Sequence, residues 1–265
     1  MNTAMREPIL YAVADHIATI TFNRPRVMNA LDPAIIRAFG AVCERARSDI
    51  TARVVVLRGA GAGFVAGGDV ASFKEHLTDF SRMVIELAGE LHRGILALRR
   101  APKPVIASVH GAVAGAGMSI MMASDLIVAA EGTQFNMAYS KIATSPDGGS
   151  TWFLPRLVGY QKAMEMLLLA DTVDAQAMHA MGIVNRVVPV AQLDSATLQW
   201  AQRLATGPAC AYAETKNLLN SELNHSLAKQ LEAEAEAFAR CAADTDFAEG
   251  VTAFLDKRKA DFRKS

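Results

Sequence analysis

Val105-Ile106-Ala107-Ser108-Val109-His110-Gly111-Ala112-Val113-Ala114-Gly115-Ala116-Gly117 opens on apolar and β-branched residues and closes on glycines. Its first five residues read as a buried strand. The glycines cannot be a strand interior, and the apolar Met118–Ala123 beyond them reads as a helix. Arg53–Arg58 (RVVVLR) has the same form, running straight into Gly59-Ala60-Gly61-Ala62-Gly63. A helix over Ser81–Arg100 is marked by Val84, Leu87, Leu91, Ile95 and Leu98 at helical spacing, and Ala101-Pro102-Lys103-Pro104 ends it. Asp125–Ala130 is a third strand. Strands alternating with helices predict an α/β core.

Outward from this core, Ile9–Val13 and Ile17–Phe22 flank Ala14-Asp15-His16 and read as a hairpin. Asp32-Pro33 opens a helix, Asp as N-cap and Pro at the first helical position, with Ile35, Ile36, Phe39, Val42 and Ala46 on one face. Pro146–Gly149 starts another helical region. Asp174 caps a helix ending at Gly182, before a strand over Ile183–Val188. From Ala191 onward the chain reads as helical, broken at Gly207-Pro208 and near Asn224.

With 265 residues the chain can bury a large core unaided. Lys+Arg and Asp+Glu are 27 each, and a net charge of zero argues against nucleic acid or an anionic membrane as partner. Cys43, Cys210 and Cys241 are odd in number, far apart in sequence and form no CxxC, so neither a zinc cluster nor a disulfide framework is legible. A reducing cytoplasm is the simplest home. Met1–Pro8 lacks the apolar region of a signal peptide, and Met118–Ala130, interrupted by Asp125, is too short to span a bilayer. No metal site is expected.

Two ligand chemistries fit the glycine clusters. Gly61-Ala62-Gly63-Phe64-Val65-Ala66 matches a loose G-x-G-x-x-A dinucleotide pattern, but the acidic residue due at the next strand is missing. Neither G-x-x-x-x-G-K-[ST] nor G-x-S-x-G occurs, which excludes a P-loop and the usual α/β-hydrolase nucleophile. Alternatively, small residues after neighbouring strands bring backbone N–H groups together on one oxygen that gains negative charge. Close strand–helix packing accounts for the same composition.

The chain is identified as a member of the crotonase (enoyl-CoA hydratase/isomerase) superfamily on a series of motifs in order. They are Asn23-Arg24-Pro25 with Asn29-Ala30-Leu31, Val54–Gly59 leading to Phe64-Val65-Ala66-Gly67-Gly68-Asp69, and Lys103-Pro104-Val105-Ile106-Ala107. His110–Gly117, Pro146-Asp147-Gly148-Gly149 and Phe254–Arg258 complete the series. The resemblance implies an α/β crotonase fold: a β-β-α superhelix core over 1–190 and a helical C-terminal trimerisation region over 191–265. It implies a homotrimer or dimer of trimers acting on an acyl-CoA thioester, coenzyme A being part of the substrate and no separate cofactor needed. By position, the amides of Ala66 and Ala116 form the oxyanion hole. Gly67, Gly68 and Val70 continue the first binding loop, which Asp69 caps and shapes, and Gly115 belongs to the second. Arg24, Arg26 and a neighbour's Lys257 are candidates for the CoA phosphates, and Ala30 lies in the same binding segment.

Hydratases of this family place two glutamates around a water. The matching positions here are Ser119 and Tyr139, neither of which shuttles protons near neutral pH. Asp147 remains, as a single acid/base or as a helix N-cap. One carboxylate suffices to move a proton between two carbons through an enolate. Family members that isomerise double bonds or epoxide-derived rings, including the ring-opening isomerase of phenylacetate breakdown, carry Asp at this position, and the pattern is most similar to that type. Chlorobenzoyl-CoA dehalogenases also carry it, as nucleophile, with a His near the place of His92, but the surrounding residues differ. His92 reads as packing or peripheral to the pocket, and His110 as a structural hydrogen-bonder. Tyr139 is a candidate partner for substrate or water. The expected reaction is isomerisation of an unsaturated or ring-modified acyl-CoA. The alternatives are hydration of a 2-enoyl-CoA, as in fatty-acid breakdown, and a degenerate acyl-CoA binder. Phe73–Phe80, Met83, Met137 and Trp152 are expected to line the acyl pocket.

Overall fold

The computed structural model describes residues 7–262. The leader reading of Met1–Pro8 falls almost wholly outside them. β1 (Ile9–Ala14) and β2 (Ile17–Phe22) form the expected antiparallel hairpin. Its turn residues Asp15 and His16 both have positive φ (50° and 63°), the twist a two-residue hairpin loop requires. α1 (Pro33–Ser48) begins where Asp32 Oδ1 accepts from the N–H of Ile35 at 2.9 Å.

β3 (Val54–Gly59) lies parallel to β2. The chain then makes a single bridge at Val65, enters the short α2 (Val70–Glu75), and continues into α3 (Phe80–Arg100). The next turn repeats this: β4 (Val105–Val109), β5 (Ala112–Ala114), α4 (Ala116–Met122). The third is β6 (Leu126–Ala130), β7 (Gln134–Asn136) and, after a loop, α5 (Ser150–Val158). Each turn therefore adds a strand to a large sheet and a shorter pairing to a small one. α6 (Tyr160–Leu169), β8 (Val173–Asp174), α7 (Ala175–Ala180) and β9 (Arg186–Val188) follow. The large sheet runs β1-β2-β3-β4-β6-β9, and the small one β5-β7-β8.

Inner strands of the large sheet are buried on both faces, which is why they read as unbroken apolar runs. Val55 and Leu57 of β3 face the main core with Ile35, Phe39 and Leu98, while Val54 and Val56 face a second cluster with Leu193, Ala196, Ala201 and Ala205. That second cover is α8 (Leu193–Ala205), followed by α9 (Ala209–Ser221), α10 (Leu227–Ala242) and α11 (Thr245–Leu255). Among the described residues no helix is long and apolar enough to cross a membrane.

The strand expected over Ile183–Val188 is reduced to Arg186–Val188. The N–H groups of Ile183 and Val184 both turn back to the carbonyl of Met178, closing α7 and leaving no pairing for a sheet. Cys210 and Cys241, remote in sequence, meet with sulfurs 3.8 Å apart as free thiols on α9 and α10.

Lys216 of α9 ties the C-terminal helices to the core. Its Nζ donates to the carbonyls of Leu98 (2.8 Å) and Lys103 (3.1 Å) and pairs with Asp125 Oδ2 at 2.7 Å. Burial pushes its pKa below the ordinary lysine value, with Asp125 opposing. Lys216→Ala leaves the Leu98 and Lys103 carbonyls without this donor and Asp125 paired with Arg99 alone among the described residues (3.4 Å), and is expected to destabilise the fold by about 3 kcal/mol. A fall in the guanidinium unfolding midpoint at constant m-value would measure it.

Candidate active site

The loops after β3 and β4 pack against each other without side chains between them. A Cβ on Gly117 would come within 2.1 Å of the Val65 carbonyl oxygen, so only glycine permits this approach. Asn29, fully buried with φ 59°, pins the first loop from behind. Its Nδ2 donates to the carbonyls of Ala60 (3.0 Å), Gly63 (2.9 Å) and Phe64 (3.0 Å), and its Oδ1 accepts from the N–H of Arg24 at 2.8 Å. The sequence shows Asn29 only as part of a motif, because its partners lie far along the chain. His110 Nε2 meets the carbonyl of Gly61 at 2.8 Å and fastens the same loop to the end of β4.

Between these loops and α3 lies a cavity of about 570 Å3. Phe73, Phe80, Val84, Leu87, Leu91 and Ile142 make its apolar wall. Gly67, Gly68, Gly115 and Ala116 present backbone to it, and Tyr139 and Asp147 face it from the third turn. Val70 also lies on its wall. Of the expected acyl-pocket residues, Phe73 and Phe80 are there, with rings 4.6 Å apart. Met83, Met137 and Trp152 are not: Met137 is buried in the core, Met83 packs against it, and Trp152 lies under the Arg156 guanidinium at 4.0 Å.

The expected oxyanion donor Ala66 needs correction. Its N–H donates to the carbonyl of Met28 at 3.1 Å and is already satisfied. Two residues on, the chain bridges Leu31: Leu31 N–H donates to Gly67 O (2.8 Å) and Asp69 N–H to Leu31 O (2.9 Å). Polar groups alternate sides along an extended chain, so the N–H of Gly68 points away from Leu31. No acceptor among the described residues takes it. Ala116 lines the same cavity as the first residue of α4, where an N–H has no partner within the helix.

Arg24 is also placed differently from expectation. Its guanidinium donates to Ala30 O (2.5 Å) and pairs with Asp32 (3.1 Å) and Asp69 (3.2 Å). Two carboxylates answer its charge, so it frames the loop rather than standing free for a phosphate. Asp69 also caps α2, its Oδ1 accepting from Ser72 N–H at 3.3 Å. Arg26 is exposed in the turn Pro25–Val27, and Lys257 is exposed just beyond α11; neither lines the cavity.

Asp147 does not cap α5, whose N-cap is Gly149. Instead its Oδ1 accepts from Tyr139 Oη at 2.7 Å, and no donor among the described residues engages Oδ2. Tyr139 is buried; burial and the nearby Asp147 charge hold its phenol well above the ordinary range, so it stays a neutral donor. Ser119 and Tyr139 lie 3.1 Å apart, Oγ to Oη, and Ser119 Oγ also reaches the Asp147 carbonyl (3.0 Å) and Ser150 Oγ (2.6 Å). Each hydroxyl has one proton. Tyr139's lies on Asp147 Oδ1 and Ser119's on the Asp147 carbonyl, so Ser150 donates to Ser119. Ser150 carries no motif of its own and was invisible to sequence reading.

The enoyl-CoA hydratase/isomerase family model matches residues 13–265. A probable enoyl-CoA hydratase of Rhodobacter capsulatus is 36% identical over 96% of this chain and 97% of its own. The 1,2-epoxyphenylacetyl-CoA isomerase of Escherichia coli is 34% identical, covering 97% and 99%. The crystal structure of an enoyl-CoA hydratase from Polaromonas sp. JS666 superposes with a TM-score of 0.92 at 34% identity, covering 96% and 99%. The chain belongs to the enoyl-CoA hydratase/isomerase family, enzymes acting on acyl-CoA, and has the crotonase fold.

Proposed function

We propose that this chain isomerises an enoyl-CoA, or a ring-modified acyl-CoA, with Asp147 as its single acid/base. The observation that carries the reading is the cavity's chemistry: among its described lining residues Asp147 is the one carboxylate, with Oδ1 fixed by Tyr139 and Oδ2 open. For a 3-enoyl-CoA, Oδ2 takes a proton from C2. The electron pair spreads onto the thioester oxygen and C4, giving a dienolate, and the N–H groups of Gly68 and Ala116 hold that oxygen. Asp147 returns the proton at C4, leaving the conjugated 2-enoyl-CoA. No water is consumed. The apolar wall takes a hydrocarbon acyl group, and an arylacetyl derivative fits the same chemistry.

Hydration is the second reading, supported by the name of the Rhodobacter capsulatus relative. It needs a second proton carrier, and the hydroxyls of Ser119 and Ser150 are already engaged with each other and with Asp147. Incubation with a 3-enoyl-CoA tests the two: conjugated-thioester absorbance appearing without a mass change supports isomerisation. Gain of one water on crotonyl-CoA, with no reaction of the 3-enoyl-CoA, would overturn it. Tyr139→Phe removes the donor to Oδ1 and is expected to lower kcat roughly tenfold to a hundredfold, the worth of one hydrogen bond to a charged group.

The proposal includes a homotrimer or dimer of trimers. Leu227, Leu231 and Phe238 on α10 and Phe254 on α11 are all more than half exposed, an apolar face that a second copy would cover. Such a neighbour would also supply Lys257. Light scattering measures the mass directly.

A further inference from the structure

Ser119 holds one polar atom of the Asp147–Gly148 peptide, its Oγ donating to the Asp147 carbonyl at 3.0 Å. The other polar atom of that peptide is the N–H of Gly148, and it donates to His92 Nε2 at 3.2 Å. One peptide plane is thus gripped from both sides, by α4 and by α3. The carbonyl also accepts from the N–H of Ser150 at 3.1 Å, whereas His92 is the one acceptor of the Gly148 N–H among the described residues. Gly148 and Gly149 both have positive φ (60° and 84°), and two successive glycines impose no preferred plane. Displacing this segment withdraws the carbonyl from Ser119 and from the Ser150 N–H, and moves the Cα that carries the Asp147 carboxylate relative to Tyr139. Gly148 is buried where a Cβ would meet Ser119 at 2.7 Å and Ile95 of α3 at 3.3 Å, so the same two helices enclose it sterically.

We infer that His92 is a positioning residue for Asp147, clamping the Asp147–Gly148 peptide opposite Ser119. The bond needs a lone pair on Nε2, so the ring is the neutral Nδ1–H tautomer. The clamp does not touch the acyl group: His92 is absent from the cavity wall.

The inference rests on Asp147 being the acid/base. The test compares His92→Leu, His92→Gln and Asp147→Asn with the parent, reading kcat and KM on a 3-enoyl-CoA and Kd for the matching saturated acyl-CoA. The Gln side-chain oxygen can accept from Gly148; Leu cannot. His92→Leu is expected to lose about 5- to 10-fold in kcat, the worth of one neutral hydrogen bond, with Kd unchanged. His92→Gln is expected to recover most of that loss. Parental kcat in His92→Leu, equal losses in both variants, or a loss confined to Kd would each overturn the clamp. An active Asp147→Asn overturns the acid/base assignment instead. An inactive Asp147→Asn beside a full-speed His92→Leu overturns the clamp alone.

Discussion

Asp147→Asn is expected to lower kcat on a 3-enoyl-CoA by roughly a hundred- to ten-thousand-fold, the range general acid–base groups contribute. The substitution is nearly isosteric. The Asn side-chain oxygen can still accept from Tyr139 Oη, which is 2.7 Å from Oδ1 in the parent. What disappears is the basic oxygen facing the cavity, because an amide nitrogen takes up no proton near neutral pH. KM and the unfolding temperature should therefore change little while turnover collapses. Near-parental turnover would remove Asp147 from the chemistry and leave the pocket without a carboxylate base. Deuterium wash-in gives a second readout: in D2O the parent is expected to exchange the C2 hydrogen of substrate through Asp147, and Asp147→Asn should not.

The next largest effect is expected from Ala116→Pro, which deletes a single N–H at the cavity wall. Proline is well tolerated at the first position of a helix, where the missing N–H has no helical partner in any case. Ala116 is that residue in α4. Gly115 before it has φ 48° and ψ −121°, already outside the α region that a following proline disfavours. Loss of one oxyanion donor typically costs about a hundred- to a thousand-fold in kcat. Ala116→Gly keeps the N–H and should keep most of the turnover. Equal losses in both variants would mean the methyl group, not the amide, matters at this position.

The sequence made the strands and capped helices legible because their signals are local. Asp32-Pro33 and Asp174 announce their helices within four residues, and the caps are present at Ile35 and Ala177. The small sheet was missed: β5 and β7 are three residues long and β8 two, too short for an alternation to show. At the site, Asp147, Ala116 and the glycine loops were found from motifs. The Ala66 error has a different origin. A motif locates a loop, but which N–H in it stays free depends on the carbonyl of Met28, which comes from another loop. Ser150 and the contact from His92 to Gly148 were likewise out of reach, since both exist only once α3, α4 and α5 converge.

The Ser119 hydroxyl also constrains how this pocket can change its chemistry. A glutamate at position 119 would add a carboxylate beside Asp147, but a deprotonated carboxylate cannot donate to the Asp147 carbonyl. It brings a second negative charge toward Asp147 as well. The single replacement thus removes one donor that holds the Asp147 carbonyl. Ser119→Glu and Tyr139→Glu are each expected to turn over a 3-enoyl-CoA more slowly than the parent, which kcat would measure. On the proposed isomerisation, a change of reaction at this pocket is therefore expected to be epistatic, needing both positions to alter together.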